Sequence, residues 1–155
     1  WKLGNHEERL EKLLIRNAAV LLGIEEFQLE NLVHTRQRGV EVIKDQRIIY
    51  LGRLPVVHGH ELQMNGVSVN PARSLFLRTK KSALCGHLHQ TSSHNESTID
   101  GKLISTWSTG HLGDPHPQYA RINKWNHGAA RVEVDGDGNF EVVNLRLIGN
   151  KLFRS

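Results

Sequence analysis

Apolar and polar positions follow helical spacing over the first part of the chain. Leu10, Leu13, Leu14, Ala18 and Leu21 share one side, with Glu8, Arg9, Glu11, Lys12 and Arg16 between them. This predicts an amphipathic helix over residues 7–22, stopped by Gly23. Glu7 and Glu8 fall in its first turn, where the helix dipole favours acids. A second helix is expected over 25–36, with Phe27, Leu29, Leu32 and Val33 as its apolar side, His34 at its edge and Gly39 closing it. The period then shortens. Residues 40–43 and 47–51 flank Lys44-Asp45-Gln46 and read as a hairpin, and 54–57 reads as a buried strand. Asn70-Pro71 is a helix start, with Asn as cap and Pro at the first helical position, so a helix to about Lys80 should bury Ala72, Leu75 and Phe76. The apolar run 82–84 is a further strand. Strand, helix and strand in that order favour parallel pairing, with both strand tips on one sheet edge.

Beyond His89 the pattern becomes antiparallel β. Residues 96–99 and 102–109 flank the turn signal Asp100-Gly101. A long polar loop, 110–128, follows, and strands 130–134 and 140–147 finish the chain. Their link, Asp135-Gly136-Asp137-Gly138-Asn139, lacks the distal Glu of a calcium loop and reads as a hairpin turn. The fold class is therefore α/β with antiparallel strands at its C-terminal end.

Composition narrows the picture. The length of 155 residues suits one domain. Hydrophobic residues at 38% and aromatic ones at 6% are few, as expected of a sheet continued by another segment. A net charge of +4 suits a phosphate-bearing substrate but makes no basic stripe of the nucleic-acid kind. The single cysteine, Cys85, forms no internal disulfide, which implies a cytoplasmic protein and a small buried residue beside the strand tip. No apolar run approaches the roughly 18 residues of a membrane span.

Candidate chemistry gathers at three polar tips: Gly4-Asn5-His6-Glu7, His58-Gly59-His60, and Gly86-His87-Leu88-His89. The last two end apolar runs. Imidazoles at neighbouring strand ends can share a cavity and bind a metal through neutral nitrogen. Gly86 lets the chain bend tightly beside a ligand. Asn5 taken alone is a turn or cap residue, and His60 reads as supporting the others, with Glu61 starting a turn. His111, His116 and His127, on the long loop, are candidates for a substrate pocket or solvated residues. Trp107 and Trp125 read as packing residues, with base stacking as the alternative.

In that order, G-N-H-E, H-G-H and G-H-L-H resemble the second half of the calcineurin-like metallophosphoesterases. The resemblance covers the motifs between Gly4 and His89. It implies part of a four-layer α/β/β/α sandwich and metal-dependent hydrolysis of a phosphate monoester or diester. By the family pattern Asn5, His58 and His87 bind one metal and His89 the other, the ions being Mn, Fe, Ni, Co or Zn. His6 matches the family's histidine that protonates the leaving-group oxygen, a role that suits imidazole. The family's first-half motifs, D-x-H and G-D-x-x-D, are not expected anywhere in these residues, and only Trp1-Lys2-Leu3 stands ahead of Gly4. Residues 1–155 are therefore expected to be one incomplete catalytic domain, its first strands missing. Such a piece should hold at most one ion and be nearly inactive alone. The motifs do not separate phosphatases, nucleotide phosphodiesterases and nucleases, so the substrate is any phosphate ester, nucleotides and nucleic acids included. The alternative is a non-catalytic metal- or nucleic-acid-binding module of the same fold.

Overall fold

Helix formation at the start of the chain ends sooner than the apolar spacing implies. The computed structural model describes residues 1–64 and 68–155 and divides into two compact units, Trp1–Arg47 and Ile48–Ser155. In the first unit, helix α1 runs only over Glu8–Asn17, because Ala18 leaves the helical region at φ −153°, ψ 51°. The remainder of the expected helix is a 3₁₀ turn, Ala19–Leu21. The second expected helix is also broken, into a 3₁₀ turn at Glu25–Phe27 and a single turn, α2, at Leu29–Leu32. Extended backbone at Ile24 and Gln28 separates these pieces. No residue of α1 is buried. Leu10, Leu14, Leu21 and Phe27 instead line a cleft of about 610 Å³ within this unit. The hairpin expected over 40–51 is absent: Ile43 makes a parallel bridge to Lys2 instead.

The second unit carries the sheets. Strand β1, Ile49–Leu51, pairs antiparallel with β2, Leu54–Val57, through a two-residue turn at Gly52-Arg53. The hairpin thus lies one strand later than the turn chemistry of residues 44–46 suggested. Helix α3, Pro71–Thr79, begins as expected, with the Asn70 side chain accepting from the Arg73 N–H at 2.9 Å. It buries Pro71, Ala72 and Leu75, while Phe76 stays half-buried.

After α3 comes β3, Ala83–Cys85, parallel to β2, with Val57 opposite Cys85. Strands β4, Ser92–Ser97, and β5, Leu103–Ser108, form the antiparallel pair around the Asp100-Gly101 turn, and β5 runs parallel to β3. The sheet order is β1-β2-β3-β5-β4. Beneath α3 the core holds Val57, Met64, Leu75, Ala83, Cys85 and Leu88, all buried. Thr106 reaches out of this sheet to donate its hydroxyl to the Ala72 carbonyl at 2.7 Å, fixing α3 on β5.

A second sheet contains β6, Gly128–Val134, β7, Phe140–Ile148, and β8, Lys151–Arg154. The β6–β7 link is a hairpin turn in which Asp135 Oδ1 accepts from the N–H groups of Asp137 and Asn139. Asn144 of β7 donates to the Ser92 and Ser108 carbonyls, both at 3.0 Å, which ties this sheet to the first. The architecture is α/β, a five-stranded mixed sheet beside a three-stranded antiparallel one.

Candidate metal centre

Parallel register brings the tips of β2 and β3 together. Val57 and Cys85 are partners, and the Gly86 N–H continues the ladder by donating to the His58 carbonyl at 3.1 Å. The next residues turn sharply. His87 and His89 both hold left-handed backbone, at φ 65° and 55°, a conformation rare for non-glycine residues and concentrated where function constrains the chain. Gly59, at φ 122°, passes so close that an added Cβ would stand 2.9 Å from the Cβ of His87. Only glycine suits that crossing.

Two histidine groups result. In the first, the His58 ring lies 4.9 Å from both His60 and His87, centroid to centroid. The Nδ1 atoms of His58 and His60 are 2.9 Å apart. Glu61 closes this group from below: its two carboxylate oxygens accept from the N–H groups of His58, at 3.0 Å, and Gly59, at 2.6 Å. Its Oε2 stands 3.5 Å from His60 Nδ1, and the two side chains are only 12% and 8% exposed.

The second group forms around His89. His111 stacks on it, and the Trp125 ring meets His89 edge-on with centroids 4.5 Å apart. His127 flanks His111 at 5.6 Å. The backbone explains why a distant loop arrives here: the His89 carbonyl accepts from Asn126 N–H, and the Asn126 carbonyl accepts from His111 N–H. Asn126 also grips Thr91 with its side chain, accepting from the Thr91 N–H at 2.8 Å and donating to its hydroxyl at 2.7 Å. Burial lowers the pKa of His111, the neighbouring His127 adds to this, and Asp114 opposes it.

His58 and His87 stand together as the strand order predicts, while His89 joins the loop residues His111 and His127. His116 stays exposed in the loop, outside both groups. It closes Asp114-Pro115-His116, a D-x-H string that corrects the expectation of none; Asp114 Oδ1 accepts the His116 N–H at 2.9 Å, an Asx turn rather than a strand tip. Asn5 and His6 belong to the Trp1–Arg47 unit. There the Asn5 Oδ1 is buried without a hydrogen-bond partner among the described residues, and His6 is exposed. Burial pushes the Cys85 thiol up to about 12, so it is an inert part of the core rather than a ligand.

Sequence reasoning undervalued His60 and Glu61, which complete the only cluster of three metal-ligating side chains among the described residues. The signal was present: H-x-H followed directly by an acid within one turn. Asn126 was missed altogether, because nothing in its local sequence marks a link to Thr91. No family model matches the chain, and no curated protein matches it.

Proposed function

We propose that this chain supplies one half of a two-metal centre that hydrolyses a phosphate monoester or diester. The observation that carries the reading is the convergence of His58 and His87, on neighbouring parallel strand tips, with their rings 4.9 Å apart. The left-handed backbone of His87 and His89 supports it. The donor set suits borderline ions such as Mn, Fe, Ni, Co or Zn, which accept imidazole nitrogen and amide oxygen. His58 and His87 would hold one ion and His89 the other, and the buried, unpartnered Asn5 Oδ1 is chemically fit to be a metal ligand. Bound divalent ions supply charge neutralisation for the phosphate oxygens and a water of lowered pKa.

The chain's own residues orient and protonate. His6 would give its proton to the leaving-group oxygen, and its positive form would attract an anionic ester. His111, stacked on His89, would help exclude water from that side. No G-D-x-x-D motif and no strand-tip D-x-H is present to bridge two ions, so the remaining carboxylates would come from outside these residues.

The test is hydrolysis of 4-nitrophenyl phosphate and bis(4-nitrophenyl) phosphate with Mn²⁺, by a chain extended to carry both carboxylate motifs. His87→Ala should abolish turnover through metal loss. His6→Ala should keep the metal and slow turnover by a factor on the order of 10²–10⁴. An upstream sequence lacking both motifs, or equal metal loss in the two variants, would defeat the proposal.

A further inference from the structure

Residues 58–61 carry more donors than the reading above uses. One ring nitrogen from each of His58 and His60 and a carboxylate oxygen of Glu61 all lie within 4.8 Å of one another. All three come from one short segment at the end of β2. We infer that His58, His60 and Glu61 bind a single divalent cation of the zinc and cobalt class, in a centre that needs neither Asn5 nor any segment outside residues 48–155. The inference shares only His58 with the proposed hydrolytic centre and stands without it.

The donor chemistry fits. Two neutral imidazoles and one carboxylate are a usual protein set for a tetrahedral ion with an open fourth position. At 2.9 Å the two Nδ1 atoms stand within hydrogen-bonding distance, the tautomers setting which one donates. In a tetrahedral centre with metal–nitrogen bonds of about 2.05 Å, two ligand nitrogens stand about 3.3 Å apart. The rings therefore need to separate by only a few tenths of an ångström. A tautomer with the proton on Nε2 leaves Nδ1 of each ring open to the ion.

Glu61 is equally suited. Each of its oxygens accepts one backbone N–H, and an ionised carboxylate offers about four acceptor sites in all. A carboxylate with an 8% exposed side chain beside two imidazoles gains from a cation that offsets its charge. Its hydrogen bonds to His58 and Gly59 also fix the loop before any ion arrives. That removes much of the ordering cost of binding. The His87 ring, 6.1 Å from that of His60, borders the open side.

The metal-stripped 155-residue chain, titrated with Zn²⁺ by calorimetry and with Co²⁺ by visible absorption, tests this. One ion per chain should bind, with a Co²⁺ spectrum of nitrogen and oxygen ligands. His60→Ala and Glu61→Gln should each weaken it at least 10-fold, while Asn5→Ala should change affinity less than about 3-fold. Far-UV circular dichroism identifies a variant that has failed to fold; if Glu61→Gln does so, His60→Ala decides. No bound ion, or affinity that survives His60→Ala but falls in Asn5→Ala, overturns the inference. The second of these results leaves the hydrolytic reading intact. An ion dependent on His60 in an extended chain that hydrolyses no ester would instead sink that reading and leave this one standing.

Discussion

The imidazole of His111 lies flat on that of His89, with centroids 4.7 Å apart and planes 14° from parallel. Their positions in the sequence give no hint of this pairing. It exists because Asn126 bridges the strand-tip turn and the loop through backbone bonds on either side. Removing the Asn126 side chain should therefore act on the histidine group from a distance. Asn126→Ala loses the bonds to Thr91 and should destabilise the fold by about 1–3 kcal/mol. Because Trp125 adjoins His89, tryptophan fluorescence should shift in the same variant under native conditions. Unchanged fluorescence would show that the loop is held elsewhere.

His111 also makes stability depend on pH. Its pKa is lowered in the folded chain by burial first and by His127 second, with Asp114 opposing, while the rings of His89 and Trp125 pack against it. A histidine whose pKa falls on folding binds protons more readily when unfolded. Its penalty is absent well above its ordinary pKa of 6.5 and grows as pH falls below that value. Urea midpoints should accordingly decline on acidification from pH 7.5 to 5.5, and His111→Gln should flatten part of that decline. A variant as acid-sensitive as the wild type would remove His111 from the explanation.

At Gly59 the prediction is steric. An alanine there must adopt φ 122° and place its Cβ 2.9 Å from that of His87. The strain should cost about 1–3 kcal/mol in chemical denaturation and also move His87. Gly101→Ala gives a contrast, since its Cβ meets nothing within 4 Å although φ is 76°. Both substitutions should destabilise, but only Gly59→Ala should alter metal binding.

Leu75 separates stability from chemistry. It is fully buried on the inner side of α3, so Leu75→Ala should cost about 2–5 kcal/mol. Folded Leu75→Ala protein should retain its metal affinity, because Leu75 is not among the histidine groups.

Much of the second unit was legible in the sequence, and the reasons are local. Asn70-Pro71 names both the cap and the first residue of α3, and the short apolar runs at β2 and β3 admit little besides buried strands. The first unit was harder. Helical spacing over residues 7–22 says where apolar groups would face, but not that the backbone leaves the helix at Ala18. Tertiary context decided that point. The turn at Asp45-Gln46 does form, both residues at positive φ and the Arg47 N–H donating to the Lys44 carbonyl, but Ile43 bridges to Lys2, so the strand ladder forms only around Gly52-Arg53. Strand β8 was overlooked for a related reason. Gly149, at φ 59°, starts a two-residue turn of the same Gly-first pattern, so close to the end of the chain that the short strand beyond it drew no notice.

Within the site, the motif residues were legible as a group, since H-G-H and G-H-L-H stand at strand ends. Their grouping was not. His89 parts from His87 because consecutive left-handed turns send the two rings to different neighbours, a consequence of backbone geometry that spacing alone does not encode.

The central claim is that this chain holds one half of a two-metal centre, and bound metal and ester turnover measured on one preparation test it most directly. The purified 155-residue chain, equilibrated with Mn²⁺ or Zn²⁺ and freed of excess ion, should retain no more than one ion. That ion should be lost in His58→Ala, and 4-nitrophenyl ester hydrolysis should stay near background. Two tightly held ions with robust turnover, or an ion that persists in His58→Ala, would contradict the account.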